Sequence, residues 1–346
     1  MASCNIVLVR RFAPPGDHVR LETDEPRLFD LASRLWVPAP ADSTGDAIEI
    51  NVTRRGPRPG DSGEYGDFLE SAKSAVEAAP SLPRGAADPV FSFEERLRWE
   101  HEASEFHCEV PGVLDVRVDL AHARVSAAIS PSLYPSTKSS PSLRSFLART
   151  LLEAPAAVLL ARRGWRALHA GAVTGPKGAI VVRGGSGAGK STLVAAAHNA
   201  GLDVLGDESL LVSRADSDDL ASSVRELTLR EDSAALLGLL SRSEPAFSGG
   251  EEKRRVDLFS VSRAEARVAR RVSTLLLGPR VPGPARLVPL SPSEFLEEFA
   301  RGEIPQEHVN GGAGAIGRAW AGADGMRLDG ASDLQGAVAL LKTLVT

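Results

Sequence analysis

The sharpest patterning of apolar and polar positions lies in the middle of the chain. Ala179-Ile180-Val181-Val182-Arg183 is a short β-branched run bounded by glycines, which predicts a buried strand. Residues 191–200 favour helix, and Gly201 supplies a left-handed stop. Further apolar runs predict strands at 168–173, 202–205, 209–213, 273–277 and 287–289. Leucines and alanines recur at helical spacing over 142–164, where Pro155 predicts one kinked helix or two short ones. Two more helices are announced by capping boxes, Ser291-Pro292-Ser293-Glu294 and Ser332-Asp333-Leu334-Gln335.

The first part of the chain is patterned differently. Residues 5–10 and 47–53 read as strands with a helical pattern at 27–36 between them. Residues 54–63 and 80–89 are too rich in proline and glycine for anything but loop, and helices are expected at 68–79 and around 94–102. Strands follow at 105–110, 113–119 and 124–129, the last two joined by a turn at 120–123. The polar, proline-broken stretch 130–140 marks a boundary. It divides the chain into an α+β N-terminal domain, 1–140, without chemical residues of its own, and a larger α/β domain, 141–346.

Composition narrows the picture. At 346 residues and 43% hydrophobic content the chain can build two cores. The net charge of −5 is spread along the sequence, which argues against nucleic-acid and anionic-membrane partners. Two cysteines, Cys4 and Cys108, make neither a disulfide framework nor a metal motif and read as free thiols in a reducing cytoplasm. No apolar run reaches the ~18 residues of a membrane-crossing helix, and the charges at the N-terminus follow its apolar segment instead of preceding it, unlike a secretory signal.

The candidate chemistry sits between the strand at 179–183 and the helix that follows. Gly184-Gly185-Ser186-Gly187-Ala188-Gly189-Lys190-Ser191 fits the phosphate-loop pattern G-x-x-x-x-G-K-[ST], in the strand–loop–helix order that the pattern requires. Glycines let successive N–H groups converge on phosphate oxygens, and the helix N-terminus adds partial positive charge. In that setting Lys190 reaches β- and γ-phosphates, Ser191 places its hydroxyl on Mg²⁺, and Thr192 reaches the α-phosphate of ATP. Asp207 and Glu208 end the next short strand, so one carboxylate can bind Mg²⁺ while the other accepts a hydroxyl proton; solvated acids at a strand end are the plainer reading. His169, alone on an apolar strand, reads as a core or edge residue. Gly312-Ala313-Gly314-Ala315-Ile316-Gly317 fits G-x-G-x-x-G without a preceding strand, so a mobile loop is expected there. The charged, Ser/Gly-rich stretch 240–252 is expected to join it as a rim over the site.

Taken together, LHAGAV, GGSGAGKST and LGDE resemble the C-terminal catalytic domain of HPr kinase/phosphorylase and its related serine kinases, over roughly 167–344. The resemblance implies a phosphoenolpyruvate-carboxykinase-like fold and an ATP- and Mg²⁺-dependent transfer of the γ-phosphoryl group to a hydroxyl, foremost a serine of a protein or peptide. It implies that Asp207 is the general base, that Glu208 lies near Mg²⁺ and that His169 lies beside both. It further implies that one of Arg254 and Arg255, within Lys253-Arg254-Arg255-Val256-Asp257, stabilises charge on the phosphoryl group; an exposed basic strand edge is the competing reading. The chain departs from the bifunctional enzymes at Glu208, at Thr192 and in lacking their glycine-rich signature, which points away from phosphorylase activity and from HPr as acceptor. A small-molecule alcohol is the second acceptor class, a non-catalytic nucleotide-binding module and a hydrolase are further alternatives, and homo-oligomerisation is open.

Overall fold

The computed structural model describes residues 8–13, 18–23, 28, 31–32, 37–38, 47–54, 98–102, 104–110, 114–129, 146–213, 218–222, 226–248, 251–257, 268–279, 282–301, 307, 312–322 and 325–346. The chain is a mixed α/β protein that divides into two compact units, residues 1–159 with 245–253 and residues 160–244 with 254–346. The expected loops, the helix at 68–79 and the boundary at 130–140 lie outside the described residues, save Arg54 at a strand end.

In the first unit the described strands are β1 (Leu8–Ala13), β2 (His18–Thr23), β3 (Val37–Pro38), β4 (Ala47–Arg54), β5 (Arg98–Glu102), β6 (Glu105–Val110), β7 (Leu114–Asp119) and β8 (Arg124–Ile129). They form one sheet in the order β3-β1-β2-β4-β8-β7-β6-β5, parallel at β2–β4 and β4–β8 and antiparallel elsewhere. The period-2 pattern explains why. Ile48, Ile50 and Val52 of β4 and Val125, Ala127 and Ile129 of β8 are buried on one face, while on the other Glu49 receives Arg20 at 3.2 Å and Arg124 at 3.1 Å. Cys108 lies in the buried set, and burial pushes its thiol far above the ordinary range.

Two expectations fail in this unit. The first strand, expected to end at Arg10, runs three residues further to Ala13, with β2 after it. Residues 98–102, read as helix, are strand β5, because pairing of Trp99 with Cys108 and His101 with Phe106 supplies a ladder that overrides helix-favouring composition.

Residues 146–162 are helical, with a π segment at Arg149–Glu153 leading into α1 (Ala154–Arg162). Ala154 N–H donates to Arg149 O, five residues back. Pro155 follows with no N–H to give to Leu151, and the wider turn absorbs that missing donor where a kink was expected.

The second unit is built on β9 (Arg166–Leu168), β10 (Gly171–Gly175), β11 (Gly178–Arg183), β12 (Asp203–Gly206), β13 (Leu210–Val212), β14 (Asp219–Ser222), β18 (Val268–Leu277), β19 (Arg286–Pro289) and β20 (Gly325–Asp329). The small strands β15 (Glu226–Leu229), β16 (Ser243–Ser248) and β17 (Glu251–Asp257) pair separately. β18 is the hub: one edge pairs with β11 in parallel, and the other pairs with β14 over its first residues and with β20 over its last. Alternate residues of the central strands face opposite layers. Ile180, Val182 and Leu275 pack with α2 (Lys190–Asn199) and α6 (Leu334–Val345), whereas Ala179, Val181 and Leu276 pack with α4 (Pro292–Ala300) and α5 (Gly312–Trp320).

Other expectations are corrected here. The single strand expected at 168–173 is two, because β9 pairs with β13 and β10 with β11 and β12, leaving His169 and Ala170 at the corner between them. The stretch read as a mobile loop at 312–317 is helix α5, and its glycine spacing serves packing: a Cβ on Gly317 would lie 3.0 Å from the Phe299 ring. The stretch 240–252, expected as a rim, holds the 3₁₀ turn Leu240–Arg242, all of β16 and the first two residues of β17. The Ser291 capping box forms, with Ser291 N–H donating to Glu294 at 2.9 Å. At α6, however, Asp333 is the N-cap and its carboxylate accepts from Gly336 N, one register later than expected. Among the described residues no helix is long and apolar enough to cross a membrane.

Candidate phosphate-binding site

β11 runs through the core and stops at Arg183, after which the chain turns through Gly184–Gly189 into α2. Gly187 and Gly189 have φ of 73° and 102°, a region in which a side chain would be strained. A Cβ on Gly184 would stand 3.1 Å from Leu277 and 3.2 Å from Ala188, so the loop lies tight against the end of β18. This is a strand–loop–helix cradle whose first helical amides point at the loop. Lys190 is buried and folds back over the loop, its Nζ donating to Gly184 O at 2.9 Å and Gly185 O at 3.2 Å. Thr192 donates its hydroxyl to Ser233 Oγ at 3.1 Å, a bond it would have to release to reach an α-phosphate.

Asp207 follows β12 directly, and its side chain is fully buried. Its Oδ2 accepts from Thr228 N at 3.4 Å; its Oδ1 has no hydrogen-bond partner among the described residues. Oδ1 faces β10, where a Cβ on Gly171 would stand 3.2 Å from it. Burial, and then the charge of Glu208, push this carboxyl up to about 7, against the pull of the Ser191 hydroxyl, the Thr228 amide and Lys190. Glu208 is held at φ 62° inside a tight turn closed by Ser209 N–H donating to Asp207 O at 2.7 Å. The plainer reading of two solvated acids therefore does not describe Asp207.

His169 is placed by a network that was not legible in the sequence. Its N–H donates to Glu307 and its carbonyl accepts from Arg183 Nη1 at 3.2 Å. Arg183 and Glu307 make a two-pronged pair at 2.7 and 3.1 Å with both side chains fully buried, and Arg183 Nε donates to Phe299 O at 2.6 Å. His169 sits two residues before Gly171, the residue that lies against Asp207.

The basic motif lies on β17. Arg255 is buried and paired with Glu226 at 3.2 Å and Glu244 at 3.4 Å. Arg254 donates to Ser243 Oγ at 3.0 Å and Ser243 O at 2.9 Å. Neither is an exposed basic edge. Arg255 stands across from Thr228, the residue whose amide touches Asp207. A different arginine reaches the loop: Nη2 of Arg230 lies 3.8 Å from where a Cβ on Gly187 would be. Nothing in its neighbours, Leu229 and Glu231, singles Arg230 out in the sequence.

Among the described residues no group of three or more His, Cys, Asp or Glu is arranged to hold a metal ion unaided. Mg²⁺ characteristically takes only one or two carboxylates and completes its shell with phosphate and water oxygens. The oxygen-only set of Ser191, Asp207 and Glu208, with the unengaged Oδ1 of Asp207, fits that habit. No protein-family model matches this chain, and no curated protein matches it.

Proposed function

We propose that the protein is an ATP-dependent kinase with an HPr-kinase-related catalytic fold, which transfers the γ-phosphoryl group to a hydroxyl, foremost a serine of a protein or peptide. The observation that carries the reading is Asp207: a fully buried carboxyl, raised to about 7, held beside Lys190 and Ser191 of a phosphate loop. A general base near neutrality is what an alcohol acceptor needs, since its proton must leave as the new bond to phosphorus forms.

In this scheme the loop amides and the N-terminus of α2 bind the phosphates, and Lys190 exchanges the Gly184 and Gly185 carbonyls for β- and γ-oxygens. Asp207 takes the acceptor proton, the acceptor oxygen bonds to the γ-phosphorus, and the bond to the β–γ bridging oxygen breaks to release ADP. Ser191, Asp207 and Glu208 would hold Mg²⁺, which would supply positive charge to offset the negative charge of the transferring phosphoryl group. Arg183 and Glu307 fix the main chain of His169 near Gly171.

The test is incubation with γ-labelled ATP and cell lysate, followed by location of the label by mass spectrometry, for wild type and Asp207→Asn. Labelling of a hydroxyl by wild type, lost at least ~100-fold in Asp207→Asn with ATP affinity retained, is the expected result. Labelling that survives Asp207→Asn overturns the general-base role. ATP hydrolysed equally fast without any acceptor overturns the kinase in favour of a hydrolase.

A further inference from the structure

Arg230 is the last residue before α3 (Glu231–Leu236) and follows β15 directly. Its guanidinium reaches the tip of the phosphate loop, where its Nη2 is 3.8 Å from an ideal Cβ on Gly187. The surroundings that bring it there are well tied. β15 pairs with β17, Ala234 N–H donates to Arg230 O at 2.9 Å, and Ser233, three residues on, accepts from Thr192 of the loop helix at 3.1 Å. Asn199, at the far end of that helix, donates to Leu237 O at 2.9 Å. α3 is thus fastened to both ends of α2, and Arg230 is carried on the fastening.

The side of the loop from which Arg230 approaches is informative. Thr228, two residues earlier, gives its amide to Asp207, and two residues of strand span about 7 Å. One short strand therefore runs from the carboxyl that faces the acceptor to the cation over the loop tip. In-line transfer requires the terminal phosphate to point toward the acceptor, so it lies between those two groups, whereas the inner phosphates belong to the loop amides. A planar guanidinium can hold two of the terminal oxygens at once.

We propose that Arg230 binds the terminal phosphate of a nucleoside triphosphate held in the loop, and so makes this site distinguish a triphosphate from a diphosphate. The inference rests on the nucleotide-binding reading above. It is tested with the full chain and Mg²⁺ by titration calorimetry of ATP and of ADP into wild type, Arg230→Gln, Arg230→Lys and Lys190→Ala. Arg230 is exposed, so its variants should keep the wild-type unfolding midpoint. Arg230→Gln should lose about tenfold to a hundredfold in ATP affinity with ADP affinity nearly unchanged, and Arg230→Lys should recover part of the loss. Equal weakening of both nucleotides, or no change in either, overturns the role of Arg230. Should Lys190→Ala abolish binding of both while Arg230→Gln leaves the ATP-to-ADP ratio intact, the loop stands as the nucleotide site and Arg230 alone is excluded. Absence of any binding to wild type overturns both.

Discussion

At the scale of single residues, Asp207 combines two costs that a purely structural carboxylate would avoid: complete burial and an acidic neighbour, Glu208. Because its folded value, about 7, lies above the ordinary 3.8, the unfolded chain gives up this proton first as pH rises. The associated stability is fully present below pH ~4 and is lost as pH climbs through ~7. Asp207→Asn removes the ionisation. In chelator-containing buffer the variant should be more stable than wild type at pH 8, by about 4 kcal/mol, with the advantage vanishing toward pH 4. Urea unfolding at a series of pH values measures it, and a pH-independent difference would contradict the assignment. Gly171 is the complementary case, since an added methyl would meet Val194 Cγ2 at 2.7 Å and Asp207 Oδ1 at 3.2 Å. Gly171→Ala should cost about 1–3 kcal/mol in the same assay.

At the scale of elements, the fully buried Arg183–Glu307 pair does more than neutralise two charges. Through it the end of β11, the carbonyl of Phe299 near the end of α4, and both main-chain groups of His169 are joined. Removing one partner leaves the other charge buried, so Arg183→Met should cost about 3–5 kcal/mol in urea unfolding. The double variant Arg183→Met/Glu307→Met should recover much of that. Recovery should stay incomplete, because the Phe299 carbonyl and the His169 main chain lose their partners. The same network marks where sequence reading runs out. The phosphate loop and β11 are legible because every determinant, glycine spacing, lysine and apolar run, lies within one short stretch. The Ser291 capping box is legible for the same reason. Arg183 and Glu307 are 124 positions apart, and nothing local to either announces the other. β5 and β14 are short strands that owe their extension to their partners, β6 for one and β13 and β18 for the other. The split of 168–173 at His169 likewise follows from β9 and β10 having different neighbours, which no periodicity encodes.

At the scale of the whole molecule, each unit is organised around strands paired on both edges: β4 and β8 in the first, β11 and β18 in the second. Such strands keep their amides from water until the sheet itself opens, so they should show the slowest hydrogen exchange, ahead of β3, β5 and β12 at the sheet ends. A nucleotide adds protection only where it binds or where its binding site is braced. With Mg²⁺-ATP, exchange should slow over 184–192, over the turn at 207–209 and over 228–237, since Thr192 and Asn199 tie α3 to the loop helix. β4 and β8, whose ladders are completed within their own sheet, should exchange at an unaltered rate. Protection confined to 184–192, with none at 207–209 or 228–237, would mean that the loop binds phosphate alone. The buried carboxyl and Arg230 would then stand outside the ligand's reach, and with them the case for transfer to an acceptor.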